Sequence, residues 1–323
     1  MRVGILSSRD GWHIDALRRA LDARDHDAVV VPYESLRARV GGGRHTLEAS
    51  ALATAAVGAA GSTVVSTIGS TAVGTVVLSE LDAVLPRIIP SGSLEQLIFR
   101  VDALHGLEAQ GVVVMNGARA IERCVDKSWA ATRLHDAGVP VPETVTCERA
   151  VEALAVVAAL GDVVVKPLFG SMGAGMVRVS DPDVAWRVFR ALEQVRAVFH
   201  LQRFVDHGGR DYRAFVVGGR VIASIERHNA DDWRTNVARG ARAVPCTLPA
   251  AWASLAVQAA AAVGADYAGV DLLQDRDGQV YVLEVNAIPA WEGVQGATGL
   301  DVAAEIVRHL EVRVLGETPV AGP

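Results

Sequence analysis

VVVKPLFGSMGAGMVRV occupies residues 163–179. A valine run ends in Lys166, a loop carrying Gly170, Gly173 and Gly175 follows, and Met176–Val179 resumes the apolar pattern. Short β-branched runs bounded by glycine read as strands, so this stretch predicts strand, glycine-rich loop, strand. The usual phosphate loop places Lys-Ser/Thr after its glycines, on a helix; here the lysine comes first. A glycine-rich loop between two strands can still fold over phosphates and offer them backbone N–H groups. Lys166 would then lie at the base of that loop, with the Ser171 hydroxyl beside it. A surface hairpin explains the glycines but not the lysine.

The lysine matters because the chain avoids lysine. Of 31 basic residues only Lys127 and Lys166 are lysines; the rest are arginines. A compact ammonium and a planar guanidinium differ in size and donor geometry, so these two positions resist a strong arginine bias.

Working outward, the N-terminal part alternates strand and helix. Val3–Leu6 and Ala28–Val31 read as buried strands, with a helix over Ile14–Ala23 between them. Ser93 and Gln96 form a capping-box pattern at the head of a helix whose expected apolar face is Leu94, Leu97, Ile98, Val101, Leu104 and Leu107. Gly111 ends that helix and Val112–Met115 is a strand. This alternation predicts an open α/β domain over residues 1–118.

Asp126 is an N-cap for a short helix carrying Lys127 that ends at Gly138. Val139-Pro140-Val141-Pro142 must be extended, since each proline disfavours helix before it. A helix near 148–160, the two strands around the glycine loop and a helix opening at Asp181-Pro182 make a small α+β unit, residues 119–201. Hairpins dominate residues 202–323. Gly218-Gly219 joins Tyr212–Val217 to Arg220–Ile225, as two-residue hairpin turns do. Asp275–Gly278 joins Tyr267–Gln274 to Gln279–Val285, after a helix over Trp252–Val263.

That last hairpin carries the sharpest chemistry. With Gln274 opposite Gln279, Asp271 faces Val282, and alternation sets Asp271, Glu284 and Asn286 on one sheet face. Two carboxylates and an amide oxygen are hard ligands that suit Mg²⁺ when phosphates complete the shell. Asp and Glu are poor strand residues, so a merely polar outer face is the weaker explanation. Before this hairpin lies an arginine-rich stretch, residues 203–242. The glycine turn sets Arg210 opposite Arg227, and Arg213 shares a face with Asp211. Trp233-Arg234-Thr235-Asn236 follows, a polar run able to close on an anion. Arginine suits bidentate contact with carboxylate or phosphate.

Bulk properties exclude other classes. The 323 residues suffice for roughly two or three domains, and half are hydrophobic. A net charge of −6 argues against a general nucleic-acid surface. Cys124, Cys147 and Cys246 form no CxxC pair, which fits a reducing cytoplasm and supplies no metal pattern. The start of the chain shows no signal-peptide pattern. Ala49–Ser79 is uncharged and long enough to span a bilayer. Its Ala, Gly, Ser and Thr content, without Leu/Ile/Phe blocks or aromatic ends, favours packing on a sheet over a membrane span.

Taken in order, these pieces resemble the ATP-grasp superfamily: Lys127 after an aspartate, Lys166 before a glycine-rich loop, Leu201-Gln202-Arg203-Phe204-Val205, Asp211-Tyr212-Arg213, Trp233-Arg234-Thr235-Asn236, Gly269-Val270-Asp271 and Glu284-Val285-Asn286. The resemblance covers roughly residues 84–312 and is closest to the RimK-type glutamate ligases. Arg87–Gln96 is similar to members that add glutamate to pterin or deazaflavin coenzymes; the alanine-rich segment 46–79 departs from that pattern.

The resemblance implies an ATP-grasp fold with an N-terminal pre-ATP-grasp domain, and a ligase that makes an amide through an acyl phosphate. ATP would lie between the central and C-terminal parts, on Lys127, Lys166, Gly170, Ser171, Met172, Gly173, Gly175, Gln202, Arg203, Phe204, Asp211 and Asn236. Adenine would meet the backbone of Arg203 and Phe204. Asp271, Glu284 and Asn286 would bind a pair of Mg²⁺ ions, with Mn²⁺ as an alternative. Arg213, Arg227 and Arg234 would be the catalytic cations, stabilising developing negative charge. The substrates would be a small-molecule carboxylate acceptor, tetrahydromethanopterin-like or a peptide, and an amino acid, glutamate first. A homodimer or homotetramer is compatible with it. Two other readings use the same ATP site: a ligase for other amino-acid or carrier-protein substrates, and a regulatory module that binds ATP without turnover.

Overall fold

The structure is a computed structural model that describes residues 1–42, 44–52, 72–170, 173–236 and 240–316. Its architecture is mixed α/β and α+β, in two compact units: Met1–Ala118 with the helix Val302–Leu315, and Arg119–Asp301.

The first unit holds a parallel sheet in the order Asp27–Val31, Arg2–Leu6, Ala83–Pro86, Val113–Val114. Val3, Ile5, Leu6, Val84 and Leu85 are fully buried there, as strands covered on both faces require. The helix Leu94–Ala109 starts on the expected capping box: Gln96 N donates to Ser93 Oγ, and Ser93 N donates to Gln96 Oε1 at 2.9 Å. Its apolar face is buried only in the C-terminal half. Ala103, Leu104 and Leu107 are buried, whereas Leu94, Leu97 and Ile98 are exposed. Arg100 is buried midway and donates from Nη1 to Pro90 O at 2.7 Å, so a polar bond anchors the first turns.

A second sheet in this unit, antiparallel, consists of Arg37–Gly41, Arg44–Leu52 and Ala72–Val77. Both flanks of the alanine-rich segment are thus strands; residues 53–71 lie outside the described residues. Among the described residues no helix is long and apolar enough to cross a membrane. The helix Val302–Leu315, grouped by sequence with residues 202–323, packs instead on Trp12–Asp22. Its stripe of Val302, Ala303, Ile306, Val307 and Leu310 is buried, and Arg24 and His26 both bond Glu311.

The second unit holds two antiparallel sheets. The smaller has the order Val177–Val179, Val163–Lys166, Phe199–Arg203, Thr144–Cys147. One face, with Val163, Val165, Phe199 and Leu201, packs with Ala153, Val157, Ala185 and Phe189 of the helices Ala150–Leu160 and Pro182–Gln194. Strand alternation therefore leaves Lys166, His200, Gln202, Thr144 and Thr146 together on the other face. Phe189 is fully buried, edge-on to Phe199 with ring centroids 5.4 Å apart. Phe189→Ala is expected to cost about 3–5 kcal/mol in denaturant unfolding; a loss under about 1 kcal/mol would contradict this packing.

The larger sheet has the order Arg242–Pro245, Arg220–His228, Arg210–Val217, Tyr267–Gln274, Val280–Asn286. Gly218 and Gly219 both have positive φ, as a tight hairpin turn needs. Two registers differ from expectation. Gln274 pairs with Val280, not Gln279, and a bulge at Asp271/Leu272 then sets Asp271 opposite Glu284, not Val282. A second bulge, at Phe215/Val216, sets Arg227 opposite Asp211 and Arg210 opposite His228. Each bulge inserts one residue, Leu283 and Ile222, and turns the strand beyond it to the other face.

Candidate active site

The polar face of the smaller sheet is a connected network. Lys166 Nζ donates to Gln202 Oε1 at 2.6 Å, and Gln202 Nε2 donates to Thr144 Oγ1 at 3.1 Å. His200, opposite Lys166 in the ladder, pairs through Nδ1 with Thr146 Oγ1 at 3.0 Å. Lys127 stands in the first turn of the helix Lys127–Asp136, whose N-cap carboxylate, Asp126, accepts from Ser128 N and Trp129 N. Lys127 Nζ donates to Gly170 O at 2.8 Å, fastening the start of the glycine loop. Lys127, Lys166, His200, Gln202, Leu283 and Glu284 line one pocket.

Burial sets the charges here. Lys166 keeps some solvent contact, yet the atoms around it strip enough water to lower its pKa to about 8; Glu284 and Asp271 favour the ammonium and Lys127 opposes it. Burial first, then Lys166 and Lys127, lower His200 to about 4, so its imidazole is neutral at pH 7. The unfolded chain therefore binds a proton that the folded chain refuses between pH 6.5 and about 4. Stability from this source is whole above pH 6.5 and falls by about 3 kcal/mol as pH drops through that window. His200→Gln should flatten that part of the stability curve; an unchanged slope in urea melts from pH 7 to pH 4 would refute it. His200, Thr144 and Thr146 join the site without having been expected in it. Their one sequence signal is the polar alternation of His200 and Gln202 around Leu201.

In the glycine loop, a Cβ at Gly175 would lie 2.8 Å from Pro167 Cγ, and Gly173 and Gly175 both have positive φ. Ser171 and Met172 lie outside the described residues. The N–H groups of Arg203 and Phe204 donate to Glu143 O and Asp162 O, and the Arg178 guanidinium lies 3.5 Å over the Phe204 ring.

The larger sheet gathers a second group. Arg213 grips Asp271 with two bonds, Nε to Oδ1 and Nη2 to Oδ2, each 2.7 Å. Arg227 grips Asp211 likewise at 2.7 and 2.5 Å, and its Nη2 lies 3.0 Å from Asp271 Oδ2. Gly269 makes room: a Cβ there would stand 3.1 Å from Pro289 Cβ and 3.7 Å from Arg213 Nε. Burial alone would raise the Asp271 carboxyl, but Arg213 and Arg227 overcome it and hold the pKa at about 2. At Asp211 burial prevails and raises the carboxyl, with Arg227 pulling the other way.

Asp211, expected to meet ATP, is placed in the sheet as the partner of Arg227. Both its oxygens are engaged by Arg227, a buried cation that would be costly to leave unpaired. Arg234, expected to act with Arg213 and Arg227, has an ion pair of its own. It pairs with Asp232, two residues away, and lies 5.5 Å from the Trp233 ring. The Asn236 carbonyl accepts from Ala241 N at 3.5 Å.

Glu284 stands directly opposite Asp271, and Asn286 opposite Gly269. Both side chains are half-buried and, among the described residues, have no hydrogen-bond or ion-pair partner. Among the described residues no cluster of three or more His, Cys, Asp or Glu is assembled for a metal. The oxygen set Asp271, Glu284 and Asn286 is nevertheless of the chemical type a hard divalent cation takes, with two of its three members unengaged.

Residues 124–310 match the RimK-like ATP-grasp domain family. The tetrahydromethanopterin:alpha-L-glutamate ligase of Methanosarcina acetivorans is 35% identical over 264 residues, covering 73% of this chain and 82% of that protein. The ligase of the same name from Methanococcus maripaludis is 29% identical over 312 residues, covering 95% and 97%. Among solved structures, the ATP-grasp ligase PsnB, complexed with a minimal precursor, Mg and ADP, shares the fold at a TM-score of 0.69 and 20% identity, covering 97% of this chain and 98% of that one.

Proposed function

The chain belongs to the RimK-like ATP-grasp family and is an ATP-dependent carbon–nitrogen ligase, and on that premise we propose that it adds L-glutamate to the carboxylate of a small-molecule coenzyme of the tetrahydromethanopterin kind. The observation that carries the chemistry is the convergence of two lysines, two sheet arginines and the Asp271/Glu284/Asn286 oxygen set within one compact unit. The relatives' names carry the choice of glutamate and of acceptor.

In this reading Lys127 and Lys166 hold the ATP phosphates, and Gly170, Gly173 and Gly175 let the loop follow them closely. Asp271, Glu284 and Asn286 would hold Mg²⁺, as a pair of ions or with Mn²⁺ in its place. The metal supplies charge neutralisation at the transferring phosphoryl group. The acceptor carboxylate attacks the γ-phosphorus, the bond to ADP breaks, and an acyl phosphate forms. The α-amino group of glutamate then attacks the acyl carbon. Inorganic phosphate leaves, the amine gives up a proton, and an amide remains. Arg213 neutralises charge on the migrating phosphoryl oxygens, while Arg227, fixed by Asp211, holds the floor of the site. The closed glycine loop keeps water off the acyl phosphate. The free thiols Cys124, Cys147 and Cys246 support a cytoplasmic setting.

The test is phosphate release, with products read by mass, across panels of amino acids and of carboxylate acceptors. Amide formed only with glutamate and a pterin-type acceptor supports the proposal. An amide containing another amino acid keeps the ligase and removes glutamate.

A further inference from the structure

Three oxygen donors stand on one face of the larger sheet, but they are not in the same condition. Glu284 and Asn286 have no hydrogen-bond or ion-pair partner among the described residues. Asp271 is capped: both carboxylate oxygens lie 2.7 Å from donors of the Arg213 fork. A bidentate guanidinium satisfies a carboxylate in the same plane that a cation would approach.

The two arginines around Asp271 differ in their freedom. Arg227 has its fork on Asp211, only a third contact on Asp271, and a side chain 4% exposed. Arg213 has Asp271 as its only hydrogen-bond partner among the described residues, and its side chain is 18% exposed. Beneath it Gly269 presents no side chain. An arginine with one hydrogen-bonded partner and a partly exposed side chain is freer to swing than one held from two sides and buried.

We propose that Arg213 is a mobile cap on Asp271: it occupies the carboxylate until Mg²⁺ joins Glu284 and Asn286, then swings off toward the reacting phosphoryl group. The proposal rests on Asp271 being a metal ligand, as in the function proposed above. Asp271 already carries two guanidiniums, and a divalent cation added to the same buried carboxylate would repel both, so the less firmly held one gives way. Arg227 stays, because leaving would strand the Asp211 charge, and it keeps Asp271 oriented through the exchange. The consequence is an ordered site. The guanidinium that stabilises phosphoryl transfer is released only when the metal position is filled, so an unloaded site lacks it.

The experiment is titration of the nucleotide-free full chain with MnCl₂, free Mn²⁺ being read by electron paramagnetic resonance. Wild type, Arg213→Met, Arg213→Lys and Asp271→Asn are compared, with circular-dichroism melts as a folding check. Removing the cap should tighten Mn²⁺ binding by about tenfold in Arg213→Met and by less in Arg213→Lys, while Asp271→Asn weakens it. Unchanged or weaker binding by the folded Arg213 variants, with Asp271→Asn still impaired, overturns the cap and leaves the metal site standing. Equal binding by Asp271→Asn and wild type removes Asp271 from the metal site and overturns both. Wild-type protein gives an independent readout through ¹⁵N-arginine NMR. On adding Mg·ADP the Arg213 Nε–H resonance should move and that of Arg227 should stay; no movement of Arg213 overturns the proposal.

Discussion

Lys166→Arg is expected to lower kcat/KM for ATP by about 100-fold although it conserves charge. The ammonium closes the Val163–Lys166 strand, donates to Gln202 Oε1 at 2.6 Å and faces His200 across the ladder. A guanidinium is wider and planar, and its rigid fork of five donors does not fit an enclosed position shaped for a compact ammonium. Burial has already removed water from the ammonium, as its pKa of about 8 records. A desolvated donor fixed in place stabilises phosphate charge more than a solvated one. The same shift has a pH signature. The protonated lysine is the active form, so kcat/KM for ATP should fall as pH rises through about 8, and the free enzyme's pKa is what that profile reports. Arg187→Lys, exposed on the helix Pro182–Gln194, should change neither quantity. Wild-type kcat/KM in Lys166→Arg would contradict the role given to this residue.

Glu284→Gln is expected to lower kcat by about 100- to 1,000-fold and to raise the Mg²⁺ concentration needed for half-maximal rate. Glu284 lines the same pocket as Lys127 and Lys166, stands opposite Asp271, and has no ion-pair partner among the described residues. Its charge also favours protonation of Lys166, so the amide is expected to weaken both the proposed metal shell and the proposed phosphate contact. Because no salt bridge among the described residues is broken, stability should change little, and a melt separates lost chemistry from lost fold. A variant with wild-type turnover at limiting Mg²⁺ would refute the assignment.

Much of this site is legible from local signals. Asp126 caps the helix that presents Lys127, and the side chain accepts from two amides of its first turn. Ser93 and Gln96 form their capping box. The Gly218-Gly219 pair turns where the alternation of flanking residues requires. Asp271 and Glu284 do share a face, but for a reason the alternation does not contain. A bulge adds Leu283 directly after Val282, a residue of the same apolar kind, so nothing in the residue pattern marks which of the two is the extra one. The bulge at Ile222 is hidden in the same way among Val221, Ile222 and Ala223, and it is what brings Arg227 to Asp211. The strands Thr144–Cys147 and Arg242–Pro245 escape a reading by pattern because each is four residues long and neither carries a continuous apolar run like Val163–Val165. The helix Val302–Leu315 carries a buried stripe, yet an amphipathic face says that a partner exists and not which one.

The central claim is that this site activates a carboxylate as its phosphate anhydride. Hydroxylamine supplied with ATP, Mg²⁺ and the acceptor, in the absence of any amino acid, tests it most directly. An acceptor hydroxamate is expected, formed in step with ADP and lost in Lys166→Arg and Glu284→Gln. ADP released at the same rate with no hydroxamate, across a broad panel of carboxylate acceptors, would contradict it.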